Sequence, residues 1–306
     1  MRRALIALAA ALALVAPAAT MSSASSAATA RPSCVVSLSP TATETLFAIG
    51  AGPQVQAVDT DSNYPTHGLP TKRINALQPS VEALIGVCHP TKSHPSTKPD
   101  LVVISYNANG IAQKLAGFGI KVVTQAAPST LAGAYDQMIA LGRLTGHLGA
   151  AHQLVARVRA QVAAAVASVP THAGKALTVY YELDPTYYSL TSSTFVGAML
   201  KSLGVVNIAD AKSTAADAGY PQLSAEYVVH ADPKLIFLAD TRCCHQSAQS
   251  VARRPGFATV AAVRFHHVVG LDDDVASRWG PRIGILMGEL AAGVRSALAD
   301  AALWAR

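Results

Sequence analysis

The residues with chemistry to offer fall into four groups. Six of the 17 aromatics, Tyr64, Tyr106, Tyr187, Tyr188, Tyr220 and Trp279, stand at or just beyond stretches that read as strand ends. Flat rings gathered there suit the walls of a cleft for a large, partly apolar ligand. Asp273 and Arg278, in the run Asp272–Trp279, add a carboxylate and a guanidinium fork for the polar edge of such a ligand. The triple Asp272-Asp273-Asp274 would equally attract calcium or form an ordinary solvated turn. Glu82 and Glu226 each follow a serine placed to cap a helix, Ser80 and Ser224. A carboxylate in the first turn favours the helix by about 0.3–1 kcal/mol. That accounts for one glutamate better than for two at matching places.

Cysteines form the last group: Cys34, Cys88, Cys243 and Cys244. Four cysteines allow three pairings. Cys34 precedes a strand, and Cys88 follows a helix just before another strand. Both fall at the amino-terminal edge of a sheet, where a bridge is feasible. Cys243 and Cys244 would then bond vicinally or remain thiols. A Cys88–Cys243 bridge would lock two halves of the chain together and oppose ligand-dependent motion. Cys243-Cys244-His245 and Cys88-His89…His94 hold good metal-ligand types without zinc-finger or ribbon spacing, so no metal site is expected. His266-His267 enter a strand and face opposite sides. The motifs G-x-S-x-G, G-x-G-x-x-G, H-E-x-x-H and the Walker loop are absent. The expectation is a binding protein rather than an enzyme. A secreted metal-dependent enzyme or chelatase is the alternative of another class.

The elements that position these groups alternate in type. Strands are predicted at Val35–Leu38, Val55–Val58, Leu101–Ser105, Lys121–Thr124, Leu177–Tyr181, Val205–Ile208, Leu235–Leu238 and His267–Val269. Helices are predicted at Thr41–Ile49, Ser80–Val87, Ile111–Phe118, Thr194–Leu203, Ser224–His230, from Val251, and over Pro281–Leu303. This alternation argues for parallel α/β structure. Residues 131–168 break it. Leu148, Ala151, Leu154, Val155, Val158, Val162 and Val166 recur at helical spacing. A helix over His147–Ser168 would be about 33 Å long, enough to join two lobes. Gly142, Gly146 and Gly149 mark a break before it.

The two halves repeat one order of signals. Thr43–Gly50 is echoed by Thr194–Leu200 with Leu203-Gly204, Tyr64-Pro65 by Tyr220-Pro221, Ser80-Val81-Glu82 by Ser224-Ala225-Glu226, and Pro99–Ile104 by Asp232–Leu238. Glu82 precedes Leu101 by 19 positions, whereas Glu226 precedes Leu235 by nine. The first half therefore carries an inserted loop around Cys88–Pro95.

The whole chain has 306 residues, enough for about two domains. Its N-terminus carries Arg2-Arg3, the apolar run Ala4–Ala16 and an A-x-A site at Ala28–Ala30, the pattern of a secretory signal peptide over residues 1–30. The run is too short to span a membrane. Removing it lowers the formal charge from +6 to +4, with no basic block longer than two residues, which argues against nucleic acid as a partner.

Taken with this organisation, Val36–Glu44, Tyr64-Pro65, the Glu82 helix, Pro99–Val103 and Ser277–Arg282 resemble the helical-backbone substrate-binding proteins of ABC importers. This is the iron-siderophore, haem and vitamin B12 family, and the likeness covers about residues 34–300. Leu38-Ser39-Pro40, Tyr220–Glu226 and Ser277–Ile283 lean towards its cobalamin branch. The resemblance implies two Rossmann-like α/β lobes with central parallel sheets, joined by one long interlobe helix, with the ligand cleft between them. The boundaries would be 31–130, 131–168 and 169–306. It implies an exported, extracytoplasmic, monomeric protein that delivers cobalamin or another corrinoid to a permease, with ferric siderophore or haem as alternatives. It places Tyr64, Tyr106 and Tyr220 on the cleft walls; that branch often has Trp at the last two. It assigns Glu82 and Glu226 to the permease-docking faces. Arg242 and Arg278 would suit an anionic chelate.

Overall fold

The computed structural model describes residues 31–92, 94–171 and 176–305. The expected leader, residues 1–30, lies outside them. Among the described residues, nine strands form two sheets. The first holds β1 (Val35–Leu38), β2 (Val55–Asp59), β3 (Arg73–Ile74), β4 (Leu101–Ile104) and β5 (Lys121–Thr124), in the order β3-β2-β1-β4-β5. The second holds β6 (Thr178–Glu182), β7 (Val206–Asn207), β8 (Leu235–Leu238) and β9 (Val268–Gly270), in the order β7-β6-β8-β9. Every pairing is parallel. The short β3 went unread in the sequence because two residues carry no periodicity.

Parallel sheets covered on both faces need apolar residues at consecutive positions, and VVSL, LVVI and LIFL supply them. Alternation then sorts the side chains. Val36, Leu38, Val102 and Ile104 pack in a satellite core on one face of the first sheet. Tyr180, Ile236 and Leu238 do so in the second. The opposite faces, through Val35, Val103, Val179, Tyr181 and Phe237, share one core.

That shared core is closed by helices. The first lobe carries α1 (Pro40–Ala48), α2 (Val81–Ile85) and α3 (Ile111–Ala116). The connection to the second lobe is α4 (Leu131–Thr145) and α5 (Leu148–Ala167). Gly142 lies against Ala151 and Gly146 has φ 78°, so the break read at the glycines is a tight turn between two helices. The 20-residue α5 buries Ala151, Leu154, Val155, Val158 and Val162, the spacing of one helical stripe. The second lobe carries α6 (Phe195–Ser202), α7 (Ala225–Ala231), α8 (Ala248–Ala252), α9 (Ala261–Arg264) and α10 (Asp273–Ala276); α11 (Ile283–Ala299) then packs back on α5. A single core threading both lobes makes the join stiff.

Ser80 and Ser224 cap their helices as the sequence predicts, and Ser39 and Thr194 do the same for α1 and α6. Ser39, Ser80, Thr194 and Ser224 accept hydrogen bonds from backbone amides three residues on. Cys34 and Cys88 form a disulfide at the amino-terminal edge of the first sheet. It tethers the inserted loop, which His94 braces from inside by bonding the Lys98 carbonyl and the Asp100 carboxylate.

Candidate ligand-binding site

The loops that leave the carboxyl ends of β2, β8 and β9 converge between the lobes, where parallel sheets present ligand sites. The β2 loop is fixed from below. Buried Asp59 accepts from Ser62 Oγ at 2.5 Å; Ser62 also bonds Thr43, and Thr43 bonds Ser37. Burial raises the Asp59 pKa, against the pull of those hydrogen bonds. Arg73, from β3, donates to the Ser62 carbonyl. This polar chain sets the direction of Asn63 and Tyr64. The Tyr64–Pro65 bond is cis, and the Arg282 guanidinium lies 4.6 Å from the centre of the Tyr64 ring.

An ion network crosses the cleft. Glu44, on α1 and fully buried, takes Arg278 Nη1 at 2.8 Å and Arg282 through Nε at 2.9 Å and Nη2 at 2.6 Å. Arg278 also donates to Asn63 Oδ1, the Asp61 carbonyl and Asp274. Asp274 further accepts from Asn63 and from Arg242 at 2.7 Å. The three arginines are thus matched by carboxylates of the cleft itself.

Asp273 has a separate task. Its oxygens accept the backbone amides of Arg242 and Cys243 and the Thr241 hydroxyl. Partial burial opposes its charge, yet these donors prevail and hold its pKa below the usual carboxylate value. Asp272 caps α10 by accepting from the Val275 amide. The acidic triple is therefore one cap, one loop anchor and one ion-pair partner. Asp273 and Arg278 sit at the cleft as expected, but they hold protein groups there.

Two cavities flank the 273–277 turn. One, of about 390 Å³, is open and lined by Asn63, Arg242, Cys243, Asp273 and Asp274. The other, of about 170 Å³, is mostly apolar, with Ala127, Leu183, Phe195, Tyr220, Ala276 and Trp279 among its walls. Trp279 is oriented by its Nε1–H donating to Gln137 of α4 at 2.8 Å. Gly219, at φ 90°, makes the turn that presents Tyr220; a Cβ there would press on Ser193 and Thr194 at 3.0 Å.

Tyr64, Tyr106, Tyr188 and Tyr220 are 41%, 69%, 41% and 42% exposed, which leaves their rings available to a ligand. Tyr187 is not of this set. Its backbone φ of 71° turns it inward, where its ring stacks on Phe257 at 6.0 Å beneath Arg254. It belongs to the packing of the second lobe, a correction to its expected place on the cleft wall.

The pattern of the periplasmic binding protein family matches residues 35–275. The chain belongs to that family. An uncharacterised ABC transporter substrate-binding lipoprotein of Bacillus subtilis, YvrC, is 29% identical over 261 residues, covering 82% of this chain and 76% of that one. A cobalamin-binding protein of Halobacterium salinarum is 32% identical over 209 residues, 67% of this chain and 53% of that protein, so this chain spans about half of it. The haem-binding protein RhuT of Roseiflexus sp. RS-1 shares the fold with a TM-score of 0.72 at 22% identity, over 86% of this chain and 98% of that one. This periplasmic binding protein is accordingly extracytoplasmic and not an enzyme.

Other expected residues of the binding protein are placed as follows. Glu82 and Glu226 are exposed and occupy the second helical position of α2 and α7, one on each lobe. Amide and Ser224 hydrogen bonds lower the Glu226 pKa, so its carboxylate stays charged. Cys243 and Cys244 are free thiols. Among the described residues one triad of metal-ligand types converges, Cys34, Cys88 and His94, and its two sulfurs are bonded to each other. Glu44 was missed as a site residue. Its signal was present: no Lys or Arg lies within its own helix, and Arg278-x-x-x-Arg282 offered the partners.

Proposed function

We propose that this protein binds cobalamin or a related corrinoid outside the cytoplasm and hands it to the permease of an ABC importer. The observation that carries the ligand class is the charge balance of the cleft. Arg242, Arg278 and Arg282 are all spent on Glu44, Asp272 and Asp274, and Asp273 adds a further carboxylate. A chelate with several carboxylates or catecholates would bring negative charge to a cleft whose three described arginines are already paired. A large ligand that is close to neutral, with amide edges and an apolar face, would bury its surface against Tyr64, Tyr106, Tyr220 and Trp279 at no such cost.

Calorimetric titration with cyanocobalamin, haem and a ferric hydroxamate tests this. Cyanocobalamin is expected to bind at about micromolar Kd or tighter and the anionic chelates more weakly. Preference for haem would move the assignment to the haem branch and sink the corrinoid reading. Tyr220→Ala should weaken the bound ligand about tenfold, through lost ring contact.

The paired glutamates support a docking role. Each lies at the same place on a short helix of its own lobe, free of the cleft network, as two symmetric contacts for a two-fold permease would require. Glu82→Ala/Glu226→Ala should keep ligand affinity within about twofold and abolish most uptake in a transport assay. Unimpaired uptake would reduce both residues to helix-start carboxylates.

A further inference from the structure

We propose that Arg282 reaches across the cleft from the second lobe and fixes the Tyr64 ring of the first as a one-faced platform for the ligand. Its effect on affinity rests on the ligand reading above; its hold on the ring does not. Arg282 stands at the N-cap position of α11, and its guanidinium carbon lies 4.6 Å over the centre of the Tyr64 ring. The same group donates to Glu44 through Nε at 2.9 Å and Nη2 at 2.6 Å. A guanidinium can do both at once. Its N–H donors lie in its own plane, so its flat face stays free for a ring. An ammonium is a compact point charge and would serve Glu44 or the ring, not both.

The guanidinium is held where this contact needs it. The Glu44 side chain is fully buried on α1, and that of Arg282 is 12% exposed. Gly280, two positions before Arg282, brings the chain onto α1: a Cβ there would lie 3.3 Å from the Thr41 carbonyl oxygen. The loop carrying Tyr64 is fixed from its own side through Asp59, Ser62 and Thr43. Tyr64 is nevertheless 41% exposed. With one ring face covered by Arg282, a ligand entering the cleft meets the ring on its other face. A ring fixed beforehand gives up little rotamer freedom on binding, so more of its contact appears as affinity. Ring and guanidinium come from different lobes, so the platform exists only while the lobes are apposed. Arg282 is thus a positioning residue that acts through Tyr64.

Arg282→Lys separates its two tasks. The ammonium keeps a charge for Glu44, so the melting temperature should stay within a few °C of the wild type. Affinity for cyanocobalamin should fall about fivefold. Tyr64→Phe keeps a ring under the guanidinium and should bind within about twofold of the wild type. Tyr64→Leu should weaken binding by at least about fivefold, and adding Arg282→Lys to it should weaken binding no further. Full affinity in Arg282→Lys, or losses that simply add in the double variant, overturns the proposal. Where the lysine variant folds poorly, Arg282→Gln repeats the cycle with a neutral donor for Glu44.

Thermal unfolding of the same four proteins reads the contact without any ligand. Tyr64→Leu should lower the melting temperature of the wild type by about 1–2 °C more than that of Arg282→Lys. Equal shifts would mean that the guanidinium does not hold the ring, and overturn the proposal whatever binds. Haem and a ferric hydroxamate are titrated in the same cycle. Preference for haem with the coupling intact sinks the corrinoid reading and leaves the platform standing. A protein that binds none of these probes sinks the ligand reading, and the unfolding cycle then decides alone whether Arg282 holds Tyr64.

Discussion

Arg278→Ala is expected to lower the melting temperature by about 10 °C, from the loss of a buried ion pair at about 3–5 kcal/mol. The size follows from what remains. Arg278 and Glu44 are 6% and 2% exposed, so neither can regain water readily when its partner goes. Removing the guanidinium leaves Asn63 Oδ1, the Asp61 carbonyl and one contact each of Glu44 and Asp274 without a donor. Arg282 still holds Glu44, which bounds the loss. Glu44→Gln should cost less than Arg278→Ala, because an amide retains an acceptor for one arginine. Thermal unfolding followed by circular dichroism reads both. A shift under about 2 °C for Arg278→Ala would mean that solvent reaches the network and screens it.

The same pairs bear on motion. Glu44 and Asn63 belong to the first lobe, and Arg278, Arg282 and Asp274 to the carboxyl-terminal part of the second. With α4, α5 and α11 sharing one core across both lobes, the network is a second tie at the cleft itself. A ligand that inserts between Asn63 and Asp274 must compete with it. The stiff core implies that this competition moves side chains and loops more than whole lobes.

The fold was legible where its cause is periodic. Val35–Leu38 and Leu101–Ile104 are runs that only a sheet covered on both faces can bury, and Ser80 and Ser224 are caps whose chemistry is local. The Cys34–Cys88 bridge was legible only as a feasible one of three pairings, from both residues lying at one sheet edge. The cleft was legible only as a set of strand ends. Which member of a set faces the ligand depends on contacts far apart in sequence. Tyr187 and Tyr188 are neighbours, yet a left-handed φ sends the first onto Phe257 and leaves the second exposed. Arg278 was found as a charge near the cleft, but its partner Glu44 lies 234 positions away. Its role changed from ligand contact to interlobe pairing once both were in view.

Asp240→Asn is expected to stabilise the protein at pH 8 by several °C while changing little at pH 4. Asp240 is fully buried just beyond β8, and among the described residues no N–H or O–H reaches its carboxylate oxygens. Its charged neighbours are Glu182 and Arg254, with the Tyr180 hydroxyl in the same compartment. Arg254 is committed to Glu182 through two contacts of 2.6 Å, so Asp240 faces a carboxylate whose arginine is already engaged. Burial first, and Glu182 second, push Asp240 from 3.8 to about 7, and a protonated Asp240 can donate to Glu182. Burial likewise raises the Tyr180 pKa, so that hydroxyl remains neutral throughout. Between pH 4 and 7 the unfolded chain has lost the proton that the folded chain retains. Stability from this group is full below about 4 and falls as pH rises to about 7, beyond which both states are ionised. Asparagine supplies a permanent donor to Glu182 and removes the fall. Melting curves of both proteins from pH 4 to 8 measure it, and parallel pH profiles would show that Asp240 ionises normally. The Asp240 carbonyl also holds the Cys244 amide, so alkylation of the Cys243–Cys244 pair over the same pH range reports whether ionising Asp240 loosens the cleft loop as well as the lobe.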